Sequence, residues 1–368
     1  MNVLIGVCGI GFGHTTRQIE VAKELVKRNH RVKIFTFSDA REHFVKEGFD
    51  VSEVWVPWIS FKGDKLNYRD LILKNYNSLF KGLFLYKRNL QNLIKDNFIP
   101  DICISDYEPN VAKIAYKFKK PLINIDQQSK FWLLDYPEIN GFSSIEEKKR
   151  LNLFFPRYDQ KIISSFYKLP DIKMENITVI GPIIRGDLKE LALKNEFKEI
   201  DQVVIYLSQY GAFSISDNFG GLVKILEKFK EINFVIYSNS FHLSGKLGDN
   251  IIIKRVDRKE FIKDISMSRG VISTAGYTLI TECLFMNKPM YLIPLPTFDQ
   301  HYCAKFIYEN SFGYSSSTLD CSEIRDFLEK IDHYKNNIII GKGIHGKLFD
   351  MPNVLDKIVE VIEGCSNG

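Results

Sequence analysis

The 368-residue sequence has no CxxC pair, no apolar run as long as a membrane span, and no charged-then-apolar pattern at its start. Its six cysteines, at positions 8, 103, 283, 303, 321 and 365, are scattered. That spacing argues for reduced thiols in a cytoplasm and implies neither a zinc site nor a disulfide framework. An excess of either charge is missing as well: 50 Lys and Arg against 45 Asp and Glu leave a net +5. This is too little for a nucleic-acid partner, but it suits acidic small molecules or an anionic membrane face. No repeat of solenoid period and no low-complexity tract interrupts the chain. What is present, 45% hydrophobic and 26% charged residues, is the composition of a folded globular protein long enough for two domains.

Short β-branched runs alternate with amphipathic helical stretches, the pattern of parallel sheets built from βαβ units. In the first half, strands are expected at Asn2–Val7, Arg31–Phe37, Asp101–Ser105 and Pro121–Ile125, with a helix from about Thr15 to Arg28 that ends before the Asn29-His30 turn. The pattern restarts after "VIGPIIRGDL", with strands at Gln202–Leu207, Asn233–Tyr237, Ile251–Lys254, Gly270–Ser273 and Pro289–Ile293. The expected layout is a doubly wound domain over 1–182, a second over 183–350, and a final helix in 351–368 that crosses back to the first. A ligand would then sit in the cleft faced by the carboxyl ends of both sheets. Residues 55–98 depart from the alternation, being aromatic-rich with interleaved lysines. They read as an amphipathic core helix with solvated lysines. The alternative is an acceptor pocket or membrane-facing surface with Lys74, Lys81, Lys87 and Arg88 on the headgroup side.

The loop "CGIGFGHTTR" (8–17) follows the first strand. A dinucleotide fingerprint would need glycine where His14 stands, and although Asp39 follows the second strand, the glycine spacing fails. No GK[ST] phosphate loop occurs, and "GKGIHGKLF" lacks the strand-to-helix setting. The remaining reading is that Gly9, Gly11 and Gly13 admit a substrate to the backbone. His14 would then lie at a helix N-terminus, whose dipole favours the neutral imidazole able to accept a proton. "PDICISDYEP" puts Asp106 at the carboxyl end of a neighbouring strand. There it can orient the imidazole or, on the simpler reading, cap a helix; Glu108, two residues on, could substitute.

Residues 272–313, "ISTAGYTLITECLFMNKPMYLIPLPTFDQHYCAKFIYENSFG", read strand, glycine turn, helix, strand, proline-rich loop, helix. The helix beginning near Gly276 offers N–H groups to a diphosphate. Glu282 on that helix can accept two ribose hydroxyls, and Asp299 and Gln300 can read sugar hydroxyls. "LSQYGAF", containing Ser208, Gln209, Tyr210 and Gly211, is a second candidate phosphate cradle.

With "GFGHTTR", "ISDYEP" and "GPIIR", this segment resembles the GT-B glycosyltransferase superfamily. That superfamily contains the UDP-N-acetylglucosaminyltransferase of lipid II synthesis and the UDP-glucuronosyl and plant UDP-glycosyltransferases. The resemblance implies an α/β GT-B fold, two Rossmann-like domains facing each other across a cleft. It implies inverting, metal-independent transfer from a nucleotide sugar to a hydroxyl acceptor, with no cofactor and no metal. His14 falls on the family's general base, Asp106 on its supporting aspartate and Glu282 on its ribose glutamate. Asp299 and Gln300 fall on its sugar-contacting pair. Gly13 would belong to the donor side, and Gly11, Phe12 and Glu108 to the acceptor side. Where relatives carry His or Arg eight residues before the ribose glutamate, this chain has Thr274, and their Asn after the Asp-Gln pair is Cys303. Diphosphate charge would then be met by the backbone of Ala275, Gly276, Tyr277 and Thr278, by the 208–211 loop, or by Arg185 or Arg255 with its neighbour Val256. The ribose glutamate favours UDP over dTDP. The acceptor would be lipid-linked, a glycan or a small molecule, and peripheral contact with the inner membrane face is an expectation. The rivals are a nucleotide-sugar hydrolase of the same fold and a non-catalytic nucleotide-binding relative.

Overall fold

The first strand, β1 (Asn2–Val7), is β-branched and apolar and is buried from Val3 onward, so it can lie only at the centre of a covered sheet. The computed structural model describes residues 1–10, 12–57, 61–62, 65–170, 172, 174–194, 198–206, 215–238, 245–345 and 354–366. After β1 come α1 (Phe12–Lys27), β2 (Arg31–Thr36), α2 (Ala40–Lys46) and β3 (Asp50–Glu53). Two short antiparallel strands, β4 (Phe61–Lys62) and β5 (Lys65–Leu66), precede α3 (Tyr68–Asn75) and α4 (Leu79–Lys95). The unit continues with β6 (Ile102–Asp106), α5 (Pro109–Phe118), β7 (Leu122–Asp126), α6 (Ser129–Leu133), α7 (Ser144–Phe154), β8 (Gln160–Ser164) and β9 (Ile177–Ile180).

Its sheet has the order β3-β2-β1-β6-β7-β8-β9, every described pairing parallel. The chain winds outward from β1 through β2 to β3 on one side and from β6 to β9 on the other. The gap between β1 and β6 is therefore the switch point, where the loops leaving two adjacent strands diverge. Apolar clusters cover both faces, one including Ile5, Ile19, Leu25 and Ile104, the other Leu4, Cys103, Val111 and Leu122. A fully buried Leu or Ile contributes about 1.5–3 kcal/mol.

The second unit runs α8 (Gly186–Lys194), β10 (Gln202–Tyr206), α9 (Ile215–Leu226), β11 (Asn233–Tyr237), β12 (Gly245–Lys246), β13 (Ile251–Lys254) and α10 (Arg258–Met267). It goes on with β14 (Gly270–Ser273), α11 (Tyr277–Phe285), β15 (Met290–Leu292), α12 (Phe298–Glu309), β16 (Gly313–Ser315), α13 (Cys321–Glu329) and α14 (Ile331–His345). The sheet order is β12-β13-β11-β10-β14-β15-β16, parallel except for the edge strand β12. Its switch point lies between β10 and β14.

The compact units are Met1–Arg185 with Asp350–Gly368, and Gly186–Phe349. The last helix, α15 (Val354–Ser366), belongs to the first unit because Val354, Ile358, Val359 and Ile362 bury into the cluster holding β1 and α1. Arg28 pairs with Asp356, and His30 Nε2 lies 3.0 Å from Glu363 Oε1, fixing that helix beside the end of α1. Between α1 and β2 the chain turns at Asn29, whose φ of 63° is left-handed.

Residues 55–98 contribute α3, a single 3-10 turn (Tyr76–Ser78) and α4. One face of α4 is core, with Leu85, Leu90 and Leu93 buried. The opposite face leaves Leu79, Leu83 and Phe84 exposed, and Phe80 is 77% exposed.

Candidate active site

In the first unit the site is built at the β1–β6 switch point. Val7 and Asp106 are register partners, and the Cys8 N–H donates to the Asp106 carbonyl at 2.9 Å. α1 starts at Phe12, so His14 lies in its first turn. The imidazole Nδ1 stands 2.8 Å from Asp106 Oδ1, with 15% of the His14 side chain exposed and none of the Asp106 side chain. With Nδ1 held by Asp106 and part of the side chain exposed, Nε2 is the ring nitrogen left for a ligand.

Three and four positions after His14 on α1, two further side chains converge on the same carboxylate. Arg17 donates from Nε to Asp106 Oδ2 at 2.6 Å and from Nη2 to Oδ1 at 2.5 Å. Gln18 Nε2 donates to Oδ2 at 3.0 Å. Burial alone would raise the Asp106 carboxyl, but the charges and hydrogen bonds of Arg17 and His14 outweigh it and bring the group down to about 2. Asp106 is therefore a carboxylate throughout the working pH range. The neighbouring Cys8 thiol is pushed up to about 12, chiefly by burial, and stays neutral.

Tyr107 follows Asp106 in a left-handed conformation, φ 58°, uncommon for a bulky residue. The turn is clamped by Ser105, whose hydroxyl donates to the Glu108 carbonyl at 2.7 Å and accepts the Glu108 N–H at 3.1 Å. The clamp turns the Tyr107 ring toward His14, with centroids 6.2 Å apart, and packs it edge-on against Phe154. Burial, then the charge of Glu147, raises the Tyr107 hydroxyl well above its ordinary range.

Glu108 must be corrected. Its carboxylate is fully buried and caps α5, accepting the N–H groups of Asn110 and Val111, each at 2.8 Å, and the Asn110 side chain at 2.6 Å. With both oxygens committed inside the protein, it cannot serve an acceptor or replace Asp106. The helix cap considered for Asp106 thus belongs to Glu108. Gly9 is corrected as well: a Cβ there would come 1.9 Å from the Phe37 carbonyl, so its bareness serves packing against the end of β2, not a substrate. Gly13 is half-buried in the first turn of α1; Gly11 and the side chain of Phe12 lie outside the described residues. Arg185, at the end of the first unit, is buried and engaged.

In the second unit, Ser273 ties the switch point together by donating its hydroxyl to the Tyr206 carbonyl at 2.6 Å. Thr274 and Ala275 are buried, and Gly276 is the N-cap of α11, with no side chain to satisfy the first N–H groups, which include those of Tyr277 and Thr278. Its φ of −71° and ψ of 125° suit any residue, and a Cβ would meet nothing within 4 Å. Neither backbone nor packing requires glycine there. What the bare position preserves is access to the helix N-terminus. Glu282 lies on α11 and is 5% exposed, not a solvated helix face. At the start of α12, Asp299 Oδ1 accepts the Thr297 hydroxyl at 2.6 Å, and Gln300 Oε1 accepts the Leu295 N–H at 2.9 Å. The second bond fixes the Gln300 amide with its oxygen inward, so its N–H₂ is the end available to a hydroxyl. Arg255 is exposed, Val256 half-buried, and Cys303 buried. The 208–211 loop, with Ser208, Gln209, Tyr210 and Gly211, lies outside the described residues. Among the described residues, no group of three or more His, Cys, Asp or Glu side chains is placed to hold a metal ion.

Residues 1–332 match the family profile of Glycosyl transferase family 1. The chain belongs to this family. An uncharacterized glycosyltransferase of Methanosarcina acetivorans is 26% identical over 384 residues, covering 98% of each chain. The UDP-N-acetylglucosamine--N-acetylmuramyl-(pentapeptide) pyrophosphoryl-undecaprenol N-acetylglucosamine transferase of Rickettsia prowazekii is 23% identical over 85% of this chain and 86% of its own. The structure of Phytolacca americana UGT2 complexed with UDP-2fluoro-glucose and pterostilbene aligns with a TM-score of 0.68 at 13% identity, covering 100% of both chains. Two units, each with a seven-stranded sheet of this order, are the GT-B fold, and the glycosyltransferase is of GT-B type.

His14 and Asp106 are among the residues expected from the sequence; Arg17, Gln18 and Tyr107 are not. The signal for Arg17 and Gln18 was present in "HTTRQ": residues three and four positions after His14 share its helix face.

Proposed function

We propose that this glycosyltransferase moves a sugar from a UDP-sugar to a hydroxyl acceptor with inversion at the anomeric carbon and without a metal ion, using His14 as the general base. The observation that carries this reading is the 2.8 Å contact between His14 Nδ1 and the buried Asp106 carboxylate at a switch point, with the ring partly open. An Nδ1–H donated to Asp106 leaves the lone pair on Nε2. As the acceptor oxygen forms its bond to the anomeric carbon, its proton passes to Nε2, and the bond to the diphosphate oxygen breaks on the opposite face. A base of this kind contributes about 10²–10⁴-fold.

The leaving UDP would be held by the N–H groups and positive end of α11 at Gly276, with Glu282 on the ribose and Asp299 and Gln300 on the sugar. Arg255 and the 208–211 loop are the further candidates for diphosphate charge. UDP is supported by the two relatives whose names carry it, the Rickettsia enzyme and the Phytolacca structure. The acceptor would approach His14 beside Tyr107.

The Rickettsia enzyme's name also specifies an undecaprenol-linked acceptor. Among the described residues, no helix is long and apolar enough to cross a membrane. The exposed apolar face of α3 and α4 includes Ile72, Leu73, Phe80 and Phe84, alongside exposed Lys74, Lys81, Lys87 and Arg88. It supports peripheral contact with an anionic bilayer on the cytoplasmic side, close to a lipid-linked acceptor.

The test is to incubate the purified protein with a panel of UDP-sugars, with and without hydroxyl acceptors, and to follow UDP release and the anomeric configuration of the product. Acceptor-dependent release giving the inverted anomer, unaffected by EDTA, is expected. Equal release without acceptor would make it a hydrolase, and a retained anomer would remove the direct displacement.

A further inference from the structure

His14 Nδ1 has two neighbours at the same distance, Asp106 Oδ1 and Arg17 Nη2, each 2.8 Å away. They make opposite demands. The carboxylate can only accept and the guanidinium can only donate, so Nδ1 either carries a proton for Asp106 or is bare for Arg17. A bare Nδ1 would set its lone pair against an anionic oxygen 2.8 Å away at a carboxylate sealed from water, where the repulsion is poorly screened. It would also place the ring proton on Nε2, the atom that must accept. With Nδ1 protonated, His14 donates to Oδ1 and Arg17 keeps both of its own bonds to the carboxylate. The first arrangement therefore prevails, and Arg17 Nη2 is a close neighbour of the ring, not its donor.

The charge count then gives Arg17 a purpose. An Asp106 carboxylate facing only an imidazole would favour the charged ring, and a charged imidazole is no base. Arg17 is 4% exposed and bound to both carboxylate oxygens, so it supplies the countercharge in advance. Aspartate and arginine sum to zero beside a neutral ring. Protonating that ring adds an uncompensated positive charge next to a guanidinium, at the positive end of α1. The other titratable groups around the ring do not change this sum. Cys8, at the end of β1, and Tyr107, after β6, are both held neutral by burial. The Glu108 carboxylate is met by the N–H groups and positive end of α5, and on α7, behind Tyr107, Glu147 pairs with Arg150.

We infer that Arg17 is the positioning residue of this site, balancing Asp106 so that His14 waits as the neutral, Nδ1-protonated tautomer with Nε2 free for the acceptor proton. The inference rests on the general-base reading above and adds a residue to it.

The experiment is long-range ¹H–¹⁵N NMR of histidine-labelled protein without substrate, with the His14 signals assigned by their loss in His14→Gln. In the wild type at pH 7 we expect a neutral ring bearing its proton on Nδ1. In Arg17→Gln the ring should remain protonated to a pH higher by about one unit or more, as expected for a carboxylate neighbour left unbalanced. In Arg17→Gln with Asp106→Asn, which removes both charges, that displacement should vanish. An Nε2–H tautomer in the wild type overturns the inference without any variant, as does an unmoved titration in a folded Arg17→Gln protein. Should Arg17→Gln fail to fold, Asp106→Asn decides: with Arg17 left unbalanced, the ring should lose its proton at a lower pH than in the double variant, and equal titrations would overturn the inference. If His14→Ala turned out fully active, the base reading would fall while the tautomer and titration results stood, so the two failures are distinguishable.

Discussion

Replacing Asp106 with asparagine keeps the size and shape of the side chain and removes the charge on which His14, Arg17 and Gln18 converge. Two magnitudes follow. Removing one partner of a buried ion pair costs about 3–5 kcal/mol, because the guanidinium of Arg17 stays behind uncompensated. The proton linkage of Asp106 gives a smaller figure. Its carboxyl lies at about 2 in the folded protein against 3.8 ordinarily, which corresponds to about 2 kcal/mol. The larger value includes the stranded guanidinium and the smaller does not, so the larger is the better guide to the variant. Because the folded-state value is depressed, the stabilisation is fully present above about pH 4 and is lost as pH falls toward 2. Urea unfolding followed by circular dichroism should therefore show Asp106→Asn less stable by about 3 kcal/mol or more at pH 7, with the gap narrowing below pH 4. Turnover should drop about 10²–10⁴-fold, since an amide NH₂ facing Nδ1 selects the wrong tautomer. Adding Arg17→Met should restore part of the stability and none of the turnover. An Asp106→Asn protein as stable and as active as the wild type would refute the reasoning, because the cluster would then be doing neither job.

Gly276→Ala should fold normally, since backbone and space both permit a methyl group, yet weaken UDP binding by about 10-fold or more by blocking approach to the α11 N–H groups; calorimetry with UDP checks it. Glu282→Ala should also weaken binding of UDP, and should weaken 2′-deoxy-UDP less, as the same titration would show. Phe80→Asp with Phe84→Asp should abolish co-sedimentation with anionic vesicles while leaving turnover on a water-soluble acceptor within about twofold. Binding that survives both changes would move the membrane contact elsewhere.

Much of the sheet architecture could be read from the sequence because its strands are uninterrupted apolar runs. "NVLIGV", "NFVIY" and "GVIS" can be little else when flanked by turns. Strands β3 and β8 escaped for a reason in their composition. "DVSE" has one apolar residue, and "QKIIS" hides a buried lysine, Lys161, whose ammonium leans on the rings of Trp132 and Tyr158. The cap at Glu108 was legible, since Pro109 occupies the first helical position and the residue before it must cap. Reading Asp106 by its nearness to the strand end missed that rule. The exposed face of α4 was ambiguous in principle, because a helix with apolar residues all round looks the same whether the second face meets protein, lipid or water. Arg17 and Tyr107 depended on tertiary placement. One is a helix residue like any other until β6 brings a carboxylate beneath it, and the other points at His14 only because Ser105 bends the chain.

The most direct test of the central claim is to measure turnover and UDP affinity together in His14→Ala. Turnover should fall by about 10²–10⁴-fold with the UDP dissociation constant unchanged, because His14 lies in the first unit and the residues proposed to hold UDP lie in the second. Undiminished turnover in that variant would contradict the claim.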